Sequence, residues 1–172
     1  KLDLGNNHTL ECVFLKNVDV EDDTIFENLN EINVSKCKNL RVIDIEQAGE
    51  KFTELDLSSN DKLNSLGLEG LRGLKQLKMP ETDNLKEIVV KETALESLAL
   101  EKYTKLDKVC VGGNQFNTLK INMEQKTEKD IENMYLLFDN NLKVEFISSK
   151  SGIVPNIKRL DNLNLWAGIV FS

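Results

Sequence analysis

The chain has 172 residues, 40% of them hydrophobic and 30% charged, which suits one globular domain and leaves too little for two. Its 22 Lys and Arg against 29 Asp and Glu give a formal charge of −7 with both signs interleaved, so it lacks the basic stripe that a nucleic-acid partner needs. No apolar run reaches the about eighteen residues of a transmembrane helix, and three distant cysteines, Cys12, Cys37 and Cys110, do not read as a disulfide framework.

From its first residues the chain repeats a nine-residue unit, Leu-x-x-Leu-x-Leu-x-x-Asn, about every eleven positions. A truncated copy, KLDLGNN, comes first, then LECVFLKNV from Leu10, LNEINVSKC from Leu29 and LRVIDIEQA from Leu40. FTELDLSSN, from Phe52 to Asn60, is the cleanest copy; LNSLGLEGL, LKQLKMPET, LKEIVVKET, LESLALEKY, LDKVCVGGN and FNTLKINME follow it, the last ending at Glu124. Within a unit the fourth and sixth positions are apolar around an outward fifth, as with Leu55 and Leu57 around Asp56, which is a short strand with one buried face. A single unit buries too little to offset its own chain entropy, at roughly 1.5 to 3 kcal/mol per apolar side chain, so the units must stack.

The starting positions fall into two interleaved series. Phe52, Leu74, Leu95 and Phe116 are 22, 21 and 21 residues apart, and Leu40, Leu63, Leu85 and Leu106 are 23, 22 and 21 apart. A full turn therefore takes two units, and the two series predict parallel sheets on opposite sides of a right-handed coil. These repeats, and the phrase LDLSSNDKL in particular, resemble the bacterial leucine-rich repeat family with short, internalin-like repeats. The resemblance covers roughly 1–124 and implies an α/β-type repeat solenoid that recognises proteins. Where that family has Asn at the ninth position this chain has Val18, Ala48, Leu71, Thr82, Thr93, Tyr103 and Glu124, so its side-chain ladder is expected to be incomplete.

Two stretches depart from the repeat. Around 18–28 an acidic insertion, VDVEDDTIFEN, suggests a helical turn capped by Asp22 or Asp23 and anchored by Ile25 and Phe26; without EF-hand spacing or a loop glycine, a calcium site is not expected. After Glu124 the segment QKTEKDIENMYLLF reads as a helix with Thr127 as N-cap and Ile131, Met134, Tyr135 and Phe138 on one face; a degenerate repeat is the competing reading. A strand over 142–147 and an apolar segment holding Trp166 complete 125–172, expected as a C-terminal α/β cap on the last repeat of the 1–124 solenoid.

Little in the sequence points to chemistry. His8 is the single histidine and sits in a turn, the cysteines show no metal-ligand pairing, and Gly112 and Gly113 precede Asn114 where the repeat bends. No cofactor, metal or catalytic residue is expected. Asp44 and Glu46 share one strand face, as carboxylates of a carbohydrate-active β-solenoid enzyme would, yet nothing distinguishes them from solvated positions.

Recognition would be written in outward columns. The fifth-position column of the first series, Asp3, Asn33, Asp56, Lys78, Ala99 and Lys120, is mostly polar. In the second series it reads Phe14, Asp44, Gly67, Val89 and Cys110, with Val42 beside it, and these six residues are the candidate binding face. The expected function is a non-catalytic recognition module, monomeric; the family resemblance implies that it binds a host or cell-surface protein or glycan from the bacterial surface, after loss of an upstream signal or anchor. The alternative is an intracellular scaffold or regulator in the cytoplasm.

Overall fold

The computed structural model describes residues 1–16, 26–149, 153, 155–159 and 169–171, and it is a parallel β-solenoid. In chain order the strands are β1 Leu2–Asp3, β2 Cys12–Leu15, β3 Ile32–Asn33, β4 Val42–Glu46, β5 Glu54–Asp56, β6 Ser65–Glu69, β7 Gln76–Lys78, β8 Glu87–Lys91, β9 Lys108–Gly112 and β10 Thr118–Asn122. After the short helix α1 Glu128–Asn133 come β11 Tyr135–Phe138, β12 Lys143–Ile147, β13 Ile157–Arg159 and β14 Ile169–Phe171. The second series builds one seven-stranded sheet in the order β13-β11-β9-β8-β6-β4-β2. The first series builds three short sheets, β1-β3, β5-β7 and β10-β12-β14.

Both faces feed one core. Leu55 and Leu57 from the interrupted face and Leu66 and Leu68 from the continuous one belong to a single apolar cluster, each at most 1% exposed. This is the outcome that period-two alternation dictates once strands stack. The interrupted face loses its strand at 97–100, although Leu98 and Leu100 stay buried there. Four of its other coils carry a side chain that the break lacks, although β7 keeps its strand with Lys78 at this position: Asp3, Asn33, Asp56 and Asn122 accept from the backbone N–H of Gly5, Ser35, Ser58 and Glu124, two residues on. Ala99 has no such acceptor. That position falls on Asn122 instead of Lys120 because β10 runs two residues further than the repeat spacing predicts.

Two corners after the interrupted face are double turns whose middle residue, Cys37 or Asn60, is buried. Asn60 N–H donates to Leu57 and Leu63 N–H to Asn60; Cys37 N–H donates to Val34 and Leu40 N–H to Cys37. The Asn60 amide then reaches back to the carbonyls of Val34 and Cys37 at 3.0 and 3.1 Å. The ladder does not simply lapse where Asn is replaced. The Cys37 thiol donates to the Leu4 carbonyl at 3.1 Å, and the Tyr103 hydroxyl to that of Pro80 at 2.7 Å. A buried carbonyl needs a donor of suitable reach, not a particular residue. On the opposite corner Asn114 donates to Val90 and accepts from the amide and hydroxyl of Thr93, while Ala48 and Leu71 offer no side-chain donor.

Four residues that follow the long sheet's strands hold a left-handed backbone: Gln47 (φ 56), Gly70 (φ 70), Glu92 (φ 50) and Gly113 (φ 66). They stack, since Gln47 N–H donates to Glu69, Gly70 to Lys91 and Glu92 to Gly112, so the ladder extends one residue past each strand.

Two expectations change at the C-terminal end. Thr127 does cap α1, in a reciprocal box with Asp130, but the helix stops at Asn133 because Met134 is extended (φ −60, ψ 134). Tyr135–Phe138 is strand β11, paired with β9 from Tyr135 against Lys108 to Phe138 against Val111. A six-residue helix has little stability of its own, whereas the edge of β9 offers a ladder to a β-favouring Tyr-Leu-Leu-Phe run. The strand expected over 142–147 is present as β12 and pairs with β10. The described residues of 125–172 thus extend both sheets, in place of a separate α/β cap. Trp166 and most of the acidic insertion lie outside the described residues; of the rest of that insertion, Phe26–Asn28 forms a turn closed by Leu29 N–H on Phe26.

Candidate interaction surface

Strand register decides which outward residues become neighbours. In the long sheet Phe14 pairs with Asp44, Asp44 with Gly67, Gly67 with Val89, Val89 with Cys110, Cys110 with Leu137 and Leu137 with Lys158. The five residues read from the second-series repeats therefore form one file, extended by two that the repeat count does not supply. Val42 lies in the adjacent row, between Cys12 and Ser65, and that row continues through Glu87 and Lys108 to Tyr135. The row on the other side runs through Glu46, Glu69, Lys91 and Gly112.

Among the described residues the exposed large hydrophobics are Phe14, 59% exposed, and Tyr135, 40% exposed, and both stand on this face. Val42, Asp44, Gly67, Val89 and Leu137 are half-buried. Cys110 departs from its reading as an outward contact. It is only 4% exposed, a small side chain set in register between Val89 and Leu137. Burial pushes its thiol above the ordinary range, against the smaller opposing effect of Lys108 and Lys91.

The face carries an open trough of about 640 Å3 whose floor is Gly67 with the backbone of Leu66 and Leu68, and whose walls include Asp44, Val89, Glu69 and Lys91. The Asp44 carboxylate leans over Gly67, where a Cβ would stand 2.5 Å from its Oδ1. Ion pairs tie the walls together. Lys16 Nζ lies 2.7 Å from both Asp44 and Glu46, Lys91 is 3.5 Å from Glu69 and Lys108 is 3.7 Å from Glu87. Hydrogen bonds to Asp44 and then to Glu46 raise the Lys16 ammonium above its ordinary range. Carboxylates stand at Asp44, Glu46, Glu69 and Glu87 on β4 to β8 and ammonium groups at Lys91, Lys108 and Lys158 on β8 to β13, with Lys16 just past β2 at the acidic end. Lys158 also caps the Tyr135 ring at 4.8 Å.

Leu137 of this file and Tyr135 of the adjacent row were not legible as outward sheet residues, because Met-Tyr-Leu-Leu-Phe is a continuous apolar run without period two, and Lys158 lay outside the repeats read from the sequence. His8 is exposed, with Nδ1 3.2 Å from the Lys36 carbonyl. The cysteines are unpaired, Cys12 at the surface and the other two buried. Among the described residues no group of three or more His, Cys, Asp or Glu is placed to hold a metal ion, and no helix is long and apolar enough to cross a membrane. No family model, curated protein or solved structure matches the chain.

Proposed function

We propose that the chain is a non-catalytic recognition module of the leucine-rich repeat kind, which binds a protein or glycan across the outer face of its seven-stranded sheet at a bacterial surface. The observation that carries this reading is the placing of Phe14 and Tyr135. Both exposed large hydrophobics of the described residues stand on one continuous sheet, Phe14 at one end of the file that holds Val89 and Leu137, and Tyr135 in the adjacent row on β11. An aromatic anchor left in water is costly unless something covers it, and Phe14, Val89 and Leu137 flanked by ion pairs fit the anatomy of an interface core with a polar rim. The carboxylates of this face are committed to lysines, which suits contact and orientation better than proton transfer. A second reading, an intracellular scaffold, draws on Cys12, an exposed free thiol of the kind a reducing compartment preserves.

The test is a screen of the whole chain against arrays of extracellular protein domains and of glycans, run beside the Phe14→Ser/Val89→Ser double variant. A hit lost in the variant supports the face. A hit that the folded variant retains moves recognition elsewhere and ends this reading.

A further inference from the structure

Two matches on the seven-stranded sheet, Glu69 with Lys91 in one row and Phe14 with Leu137 in another, make its outer face complementary to itself. We infer that the partner of this face is a second copy of the chain, docked face to face about a two-fold axis that runs parallel to the strands between β6 and β8. This rests on the recognition reading above and names its partner.

Such an axis keeps each residue's position along its strand and reverses the order of strands, so β6 lies over β8, β4 over β9 and β2 over β11 of the second copy. The consequences can be read from the register. Glu69 and Lys91 occupy the same row on β6 and β8, so each meets the other's counterpart, twice per dimer. Asp44 and Glu46, on β4, lie over Cys110 and Gly112 of β9 and keep their own ion pairs with Lys16. Phe14, on β2, lies over Leu137 of β11, which gives the most exposed aromatic of the described residues an apolar seat. Val89 lies over Gly67, where the file has no side chain.

A two-fold perpendicular to the strands, through the row of Phe14 and Val89, would keep strand order and set Asp44 on Asp44, and like charges across an interface oppose binding. Aligned packing with near-common strand directions is also how sheets meet in sandwiches. Strands about 4.8 Å apart with residues about 3.3 Å apart give a footprint of roughly 450 Å2 per copy. The total, roughly 900 Å2, falls among weak, transient interfaces, so the dimer is reversible and concentration-dependent.

Sedimentation velocity of the whole chain over a concentration series tests this, with thermal melts to check that each variant stays folded. Wild type is expected to pass reversibly from monomer to dimer, Glu69→Lys and Lys91→Glu each to weaken the dimer by about tenfold or more, and an equimolar mixture of the two to restore it. Restoration follows because one variant then presents lysine at both positions and the other glutamate at both, so every contact across the axis again joins opposite charges. Wild type that remains monomeric up to about 1 mM overturns the inference, as does a dimer indifferent to both substitutions or a mixture of folded variants that stays monomeric. If wild type is monomeric and Phe14→Ser/Val89→Ser nonetheless loses an array hit, the recognition face stands and its partner is a different molecule.

Discussion

Tyr103 donates its hydroxyl to the Pro80 carbonyl at 2.7 Å from a side chain without solvent exposure, and by doing so replaces the amide that Asn60 supplies elsewhere on the same corner. Tyr103→Phe keeps the ring and strands that carbonyl, so it should lower stability by about 1–3 kcal/mol. Asn60→Ala removes bonds to two carbonyls and leaves a void, for about 2–4 kcal/mol. Urea midpoints at unchanged slope would check both. A Tyr103→Phe chain as stable as wild type would mean the corner is held by packing alone.

The same tyrosine makes stability depend on alkali. Burial first, and the charges of Glu81 and Asp83 after it, push the Tyr103 phenol above its ordinary value of 10.0. The unfolded chain loses this proton near pH 10 and the folded chain does not. The contribution is therefore complete below about pH 10 and is lost as pH rises further. The chain has two tyrosines, so in a Tyr135→Phe background Tyr103 reports alone. Tyrosinate absorbance should appear only together with the loss of folded circular dichroism. An ordinary titration near pH 10 in a chain that stays folded would contradict the burial argument.

The left-handed residues after the long sheet make a paired prediction. Gly70 adopts φ 70 without strain, and a Cβ there meets nothing closer than 3.4 Å, so Gly70→Ala isolates the backbone cost, about 1 kcal/mol. Glu92 already bears that cost at φ 50, and its ion pair with Arg72 is exposed and worth little. Glu92→Gly should therefore be neutral or gain up to about 1 kcal/mol. The two thermal shifts should have opposite signs; a destabilising Glu92→Gly would assign Glu92 a contact beyond its backbone role.

The repeat was legible because each coil states it twice. Leu55 and Leu57 around Asp56, with starts 21 to 23 residues apart, specify two faces and a register, and so place Phe14, Asp44, Gly67 and Val89 in one file. What escaped depends on interactions between coils. Met134 turns the chain out of its helix because β9 offers a free ladder, which no local pattern in the Tyr135–Phe138 run announces. Cys110 sits on an outward position yet is covered, since exposure on a sheet is set by the neighbours across the strand. Tyr103 does the work of an asparagine, which only the position of the Pro80 carbonyl reveals.

Two glycines distinguish the strength of the stack from the shape of its surface. A Cβ on Gly73 would run into the backbone carbonyl of Glu50 one coil earlier, and a carbonyl held in the stack cannot rotate away. Gly73→Ala must therefore push apart neighbouring coils that share a ladder on each face, and should cost about 2–3 kcal/mol. At Gly67 the obstacle is the far end of a side chain, Asp44 Oδ1 at 2.5 Å and Cγ at 2.7 Å, on a residue that is half-exposed. Asp44 can swing aside, and Lys16 keeps Glu46 at 2.7 Å when it does, so Gly67→Ala should cost under about 1 kcal/mol. The methyl nonetheless occupies the trough floor that Val89 of a second copy would enter. Gly73→Ala should thus lower the melting temperature while the folded fraction still dimerises, and Gly67→Ala should leave the melt nearly unchanged and weaken the dimer. If both variants shift the melt equally, Asp44 is fixed within the stack, and the trough is no softer than the core beneath it.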